Sequence, residues 1–376
     1  MRLAQRIARI DVSPTAAFIP LMHQLRQTGQ DVINLAIGEP EFTTPEPVMA
    51  ATVQALESGR TRYDASGGLA ALRERLAAAF EGLGPENIVV TNGAKQALFS
   101  IFQTICDPGD EVILPVPCWV SFAAQVRLAG AEPVSVACRG DHQLDLAAIQ
   151  RAINPRTRAI VVNSPNNPTG AVYPRQTFED LAKLARKNDF YIVSDEAYRD
   201  FVHPPHEVFS PWSLADMRDR LIVVRSFSKT AAMTGFRVGY IAAADESARA
   251  LERLQSHLCG NVCTFAQHGA LAAAGEAPWL KGWLAELDER RRYAYAQVTA
   301  LFDCVPPQGA FYLFPDVRRH LARDQSSHDF AMALLRRTGV AMVPGEAFGT
   351  PGHVRICYAV GAETLATAFA RLRKHL

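Results

Sequence analysis

Four short strings in the chain carry side chains able to do chemistry, and each follows an apolar run. Thr91-Asn-Gly-Ala-Lys95 sets Gly93 and Ala94 where a strand would give way to a helix. Glycine lets a backbone approach a ligand closely, and a helix N-terminus offers unpaired N–H groups to a phosphate. It is not a Walker loop, which needs a longer glycine-rich span and a terminal Lys-Ser/Thr pair. Asn163-Ser-Pro-Asn-Asn-Pro-Thr-Gly170 is a rigid turn that can hold an Asn side chain at a set position. In Ser194-Asp-Glu-Ala-Tyr198, Asp195 follows a buried-looking run where a lone carboxylate is costly. It either pairs with a cation, such as a protonated ring nitrogen, or caps a helix.

The fourth string is Ser226-Phe-Ser-Lys229, with Arg237 a short loop further on. A lysine at the end of an apolar strand is partly desolvated, which lowers its pKa and frees an amine nucleophile. A lone lysine more commonly lays its stem over surface and keeps its charge in water. Here two hydroxyls and an arginine beside it suit a phosphate. A phosphate cradle, an acid for a ring nitrogen, amide and hydroxyl donors and an amine nucleophile are together what pyridoxal phosphate requires.

Elements must bring these strings to one place. From about residue 87 to 244, short β-branched runs alternate with amphipathic helical runs. Strands are expected at 87–91, 111–115, 158–163, 190–194, 221–225 and 237–241, with helices at 94–105, 119–128 and 177–187. That alternation predicts an α/β fold, a mainly parallel sheet between helices, with ligands bound beyond the carboxyl ends of the strands. After about Arg290 the rhythm changes: strands at 309–314 and 353–358, a helix at 327–337 and a final helix predict a smaller α+β domain. The expected division is residues 1–40 as an N-terminal arm and part of the small domain, 41–288 as the large domain, and 289–376 as the rest of the small domain.

The string Ser226-Phe-Ser-Lys229…Thr234-Gly-Phe-Arg237-Val-Gly239, preceded by Asn167-Pro-Thr-Gly170 and Ser194-Asp195-Glu-Ala-Tyr198, resembles the class I, fold-type-I aminotransferases. Similarity is greatest to their bacterial aspartate-type subgroup and covers essentially the whole chain. It implies a pyridoxal-phosphate enzyme with a seven-stranded sheet, moving an amino group from an L-amino acid to a 2-oxo acid by a ping-pong route. Lys229 would be the Schiff-base lysine and proton carrier, and Asp195 the partner of the pyridinium. Asn167 and Tyr198 would bond the 3′-oxygen, and Trp119 would stack on the ring. Gly93, Ala94, Lys95, Ser226, Ser228 and Arg237 would bind the cofactor around its phosphate. Arg355 would fork onto the substrate α-carboxylate and Gly38 would admit it.

Tyr63 matches the family tyrosine that reaches the neighbouring subunit's phosphate, which implies a homodimer with shared active sites. Thr15 and Lys95 align with contacts to a distal carboxylate, favouring aspartate or glutamate. Lys95 can equally be a solvated first-turn lysine. Phe18, and Cys118 where many relatives have Tyr, could instead shape the pocket for aromatic donors.

Net charge is +1, so nothing in the composition points to nucleic acid or an anionic membrane, and no apolar run is long enough to span a bilayer. Seven scattered cysteines predict reduced thiols and a cytoplasmic setting. Cys259 and Cys263 lack a second ligand pair for zinc and are expected to be buried, whereas His203-Pro-Pro-His206 is expected to be an exposed loop, so no metal site is predicted. The amphipathic residues 1–11 are expected to pack on another subunit. Two alternatives keep the cofactor: a C–S or β-lyase on the same fold, and a non-catalytic regulator, against which no DNA-binding module or basic stripe is present. Ser226-x-x-Lys229 also fits an acylation motif, but the companion motifs are absent or misplaced.

Overall fold

A computed structural model describes residues 4–10, 12 and 18–376. Thr15 and the side chain of Phe18 lie outside the described residues. A short strand Ile33–Asn34 (β1) precedes seven strands of one sheet: Ile88–Thr91 (β2), Glu111–Val116 (β3), Glu132–Ala137 (β4), Thr157–Asn163 (β5), Tyr191–Asp195 (β6), Leu221–Ser226 (β7) and Gly239–Ala243 (β8). Their order is β2-β8-β7-β6-β5-β3-β4. Only β8 runs against its neighbours; β3 through β7 are parallel. Runs such as Ala-Ile-Val-Val are buried on both faces because helices cover each side. Alternation along β2 divides the core: Ile88 and Val90 join Leu72, Phe178 and Trp212, while Val89 joins Ala97, Ile101 and Phe122.

Two details differ from expectation. The edge strand β4 escapes a periodicity reading because it is mostly exposed or half-exposed and begins Glu-Pro, a proline suited to an edge. Arg237 was expected to open a strand, yet its φ is 59° and β8 starts at Gly239. Helices Asp245–Leu258, Thr264–Ala273 and Trp279–Thr299 follow β8.

A separate apolar cluster gathers Met22, Val32, Ile33, Leu35, Ala36 and residues from Leu287 to Leu372, with Tyr198 and Phe201 from beyond β6. Here β1 pairs in parallel with Val340–Ala341 (β10), joining distant parts of the chain. Tyr312–Leu313 (β9), Val343–Pro344 (β11) and Val354–Cys357 (β12) form an antiparallel sheet of order β11-β12-β9. Helix Ser327–Thr338 is closed by a Ser326–Asp329 capping box and by Gly339 at φ 72°. The strand expected over 309–314 is regular only at β9.

All seven cysteines are free, but Cys259 and Cys263 are exposed, contrary to expectation, because they flank the turn between two helices rather than face a core. Pro204, Pro205 and His206 are exposed as expected, but His203 is buried and shares a 2.8 Å hydrogen bond with the Tyr358 hydroxyl. Among the described residues no cluster of metal-ligating side chains occurs, and no helix is long and apolar enough to cross a membrane. Of the N-terminal arm, Gln5–Arg9 forms a 3-10 helix whose Arg9 pairs with Glu132.

Candidate functional site

Strand register builds the first part of the site. Thr91 at the end of β2 and Ser226 at the end of β7 both pair with Gly239, the first residue of β8. The strings Asn92–Lys95, Ser226–Lys229 and Thr234–Arg237 therefore converge. Gly239 must be glycine: a Cβ there would lie 2.9 Å from Ala94 N and Arg225 O. Gly93 opens helix Gly93–Ile105, and Asn92 supplies no side-chain cap, which leaves first-turn N–H groups available to an anion. A Cβ on Gly93 would come 2.6 Å from Arg237 Nη2, so the guanidinium lies against this backbone. Arg237 Nη1 donates to the Thr234 carbonyl at 2.8 Å, and it forms no ion pair among the described residues. Ser226 Oγ donates to Ser228 Oγ at 2.8 Å. Helix N–H groups, two hydroxyls and an unneutralised guanidinium make a cradle for a phosphate dianion.

Asp195 ends β6 beside Asn163 at the end of β5. It is buried, and its Oδ1 accepts only the Ala197 N–H, at 3.1 Å. The capping alternative is thus partly realised, but no cation pairs with Asp195 among the described residues. Burial pushes its carboxyl up to about 7, and the adjacent Glu196 charge adds to this against the Ala197 hydrogen bond. Glu196 itself is neutralised by Arg225 at 2.8 Å, which makes the isolation of Asp195 specific.

Lys229 lies on the single turn Phe227–Thr230, its ammonium donating to the Gly38 carbonyl. Burial lowers its pKa to about 8; Arg355 and Arg237 push the same way, while Glu39 and Cys357 oppose them.

Arg355 on β12 is buried at 3% exposure and reaches across to the large sheet. Its Nη1 donates to Asn167 Oδ1 at 2.8 Å and its Nη2 to the Ala36 carbonyl at 2.6 Å, while Nε is buried without a partner. It too forms no ion pair among the described residues. Asn167 is set by its own N–H donating to Asn163 Oδ1 at 2.8 Å, and its Nδ2 donates to the Tyr198 hydroxyl at 3.4 Å. All eight residues from Asn163 to Gly170 are buried, so this is no surface turn.

A cavity of about 610 Å³ joins these groups. Of the residues expected from sequence, Gly38, Ala94, Lys95, Trp119, Asn167, Asp195, Tyr198, Ser226, Ser228, Lys229, Arg237 and Arg355 line it. Gly93 lies just behind, against Arg237. Lys95 is exposed, as a first-turn lysine can be, yet it stands at the cavity wall with its ammonium 5.3 Å from the centre of the Trp119 ring. Burial first, and Arg237 second, lower its pKa. Tyr63 is 98% exposed and does not line the cavity of its own chain. Cys118 is buried but does not line the cavity either. Asn163, Thr234, Tyr312 and the apolar Ile19, Met22 and Ile37 line it without having been expected. Glu39 accepts from the Thr234 hydroxyl. Tyr312 stood in an expected strand, but no local motif marked it as part of a site.

Pyridoxal phosphate fits this donor set. The buried, unpaired Asp195 matches a pyridinium, the cradle at Gly93 and Arg237 a phosphate, and Lys229 a carbonyl carbon. The orphaned Arg355 Nε has the character of a donor awaiting a carboxylate.

The family model "Aminotransferase class I and II" matches residues 30–372. The chain is 40% identical to the aspartate/prephenate aminotransferase of Thermus thermophilus, over 100% of this chain and 98% of that protein. It is 36% identical to the aspartate aminotransferase of Bacillus subtilis, with the same coverage of each. The solved aspartate aminotransferase from Thermus thermophilus with maleate superposes at TM-score 0.94 and 39% identity, covering 100% of both chains. The chain belongs to the class I and II aminotransferases, and it is a fold-type-I, pyridoxal-phosphate-dependent aminotransferase acting on amino and 2-oxo acids.

Proposed function

We propose that the chain takes the amino group of aspartate or glutamate and passes it to a 2-oxo acid, with Lys229 as the base. The observation that carries this is the placement of two cations without carboxylate partners among the described residues, buried Arg355 and the more exposed Lys95, around one cavity that also holds Lys229 and Asp195. Two cations suit a substrate with two carboxylates. The relatives named aspartate and aspartate/prephenate aminotransferases support the same choice. Ile19, Met22 and Ile37 add an apolar side to the cavity that accommodates a bulkier, ring-bearing oxo acid in the second half-reaction.

When bound, pyridoxal phosphate supplies a ring that delocalises negative charge from the substrate Cα. The side chains do the rest. Asp195 holds a negative charge beside the ring-nitrogen proton. Asn167 and Tyr198 donate towards the 3′-oxygen, Trp119 covers the ring, and Gly93, Ala94, Ser226, Ser228 and Arg237 hold the phosphate. Arg355 orients the α-carboxylate with its planar fork, near Gly38. Lys229 Nζ, with its depressed pKa, accepts the α-proton and holds it for return. Tyr63 serves the site of a second copy, which makes the enzyme a homodimer; its side chain protrudes fully from its own chain. The working unit divides at residues 1–40, 41–288 and 289–376, and acts in the cytoplasm, as its seven free thiols favour.

Mixing the holoenzyme with glutamate or with phenylalanine tests the reading. Glutamate is expected to convert the visible absorption of the lysine-bound cofactor to the shorter-wavelength amine form at far lower concentration than phenylalanine does. Lys95→Gln is expected to raise KM for glutamate about tenfold, the worth of one charge-assisted hydrogen bond, and to leave phenylalanine unaffected. Equal response to both donors defeats the acidic-substrate reading, and ammonia release in place of amino transfer supports a lyase. Separately, Arg355→Lys keeps the charge but loses the fork. It is expected to raise KM for every amino donor about 10- to 150-fold, the range of a charged hydrogen bond, in steady-state assays.

A further inference from the structure

Resting on this reading of the site, we infer that Tyr312 is a positioning residue that fixes the direction of the Tyr198 hydroxyl proton and supports the Arg355 guanidinium. Tyr312 is fully buried on β9 of the three-stranded sheet, and Tyr198, which follows β6 of the large sheet, packs in the same apolar cluster. Their hydroxyls are 2.8 Å apart. Arg355 stands over the Tyr312 ring, Cζ 4.5 Å from its centre. Arg355 in turn donates to Asn167, and Asn167 to Tyr198. The four side chains therefore form a closed circuit that joins the carboxylate fork to the phenol facing the cavity.

Proton counting sets the direction within it. The Tyr198 oxygen has two lone pairs and one proton. Asn167 Nδ2 can only donate, and occupies one lone pair. The Tyr312 hydroxyl has no other hydrogen-bond partner among the described residues; its far side packs on Gly38, where a Cβ would collide with it. A buried hydroxyl proton needs an acceptor, so Tyr312 donates to Tyr198 and occupies the second lone pair. The Tyr198 proton is then left to point into the cavity, towards an anionic oxygen. Burial raises the pKa of both phenols, and the neighbouring Tyr312 hydroxyl partly offsets this for Tyr198, so each keeps its proton at neutral pH. The ring of Tyr312 acts separately from its hydroxyl. It presents its π-face to the guanidinium, whose Nε is otherwise unmet.

Two variants distinguish the hydroxyl from the ring. Tyr312→Phe keeps the ring and removes the hydroxyl; Tyr312→Leu removes both. The pH midpoint of the visible absorption of the bound cofactor reports how well Tyr198 stabilises charge on the 3′-oxygen. It is expected to shift upward by about half to one pH unit in both variants, the equivalent of one hydrogen bond. Binding of succinate, an unreactive dicarboxylate, is expected to be unchanged in Tyr312→Phe and weakened about three- to thirtyfold in Tyr312→Leu. A purely structural role would lower the melting temperature and leave the midpoint in place, and an unchanged midpoint in Tyr312→Phe overturns the inference. A wild-type protein with no visible cofactor band overturns it together with the cofactor reading, which keeps the two failures distinguishable.

Discussion

Lys229→Ala is expected to lower the rate of amino transfer by at least about ten-thousandfold, the upper range for removing a general base. The expectation follows from geometry and charge together. Lys229 is part-buried in a cavity it shares with Arg237 and Arg355, which carry no carboxylate partners among the described residues, and desolvation is the main reason its pKa falls to about 8 from 10.5. A fall of that size raises the free-amine fraction near neutral pH by more than two powers of ten. Proton removal measured in single turnovers is therefore expected to rise with pH through about 8, as the ammonium loses its proton, and to lose that limb in the alanine variant. The variant should still bind pyridoxal phosphate, because the cradle at Gly93, Ser226, Ser228 and Arg237 is untouched. Its spectrum, however, should resemble the free aldehyde. A variant that retains more than about one per cent of wild-type transfer would remove Lys229 from the chemistry.

Asp195→Asn is expected to produce the second large loss, about a thousandfold or more in kcat, because a neutral amide cannot hold a proton on the ring nitrogen. The same substitution should have the opposite effect on the cofactor-free protein. Burial raises the Asp195 carboxyl to about 7 from 3.8, so the folded state holds a proton that the unfolded chain has released in that interval. The favourable contribution is fully present below about 3.8 and is lost as the pH rises through about 7. At pH 8 the folded protein must carry a buried, unpaired carboxylate, up to about 4 kcal/mol less favourable by linkage. Cofactor-free Asp195→Asn should therefore unfold at higher urea than the wild type at pH 8, with the difference shrinking towards pH 5. Addition of the cofactor should reverse the order. Equal midpoints at pH 8 would show that Asp195 has a cation partner within the chain.

The large sheet was legible because buried parallel strands are written as β-branched runs. Leu221 to Arg225 and Arg158 to Asn163 have few other conformations in which so much apolar surface can be covered. The strings that end those strands were legible for a related reason. Asp195, Lys229 and Gly93 each put a polar or unusual residue where an apolar run stops, and their order matched a known family. The edge strand β4 was not legible, since half-exposed residues and a proline erase the period-2 signal. Cys259 and Cys263 misled because a spacing of four suggests one helix face, whereas a turn separates them. The loop at Pro204 to His206 was legible from its prolines, but they do not tell that His203 before them is buried against Tyr358.

Chain order and local pattern thus established that this protein builds a sheet with chemistry at its carboxyl edge, and which residues stand there. How those residues meet was settled by long-range packing. Gly239 pairs with Ser226 nearby in the chain and with Thr91 more than a hundred residues away, and that second, long-range register closes the phosphate cradle. The isolation of Asp195 while Arg225 neutralises its neighbour Glu196 depends on two strands lying side by side. Tyr312 enters the site because the small sheet lies against the large one, and it carries no motif of its own. Local sequence encodes propensity over a few residues, whereas a hydrogen bond such as that between Tyr198 and Tyr312, 2.8 Å long, exists only once a shared core has brought distant segments together.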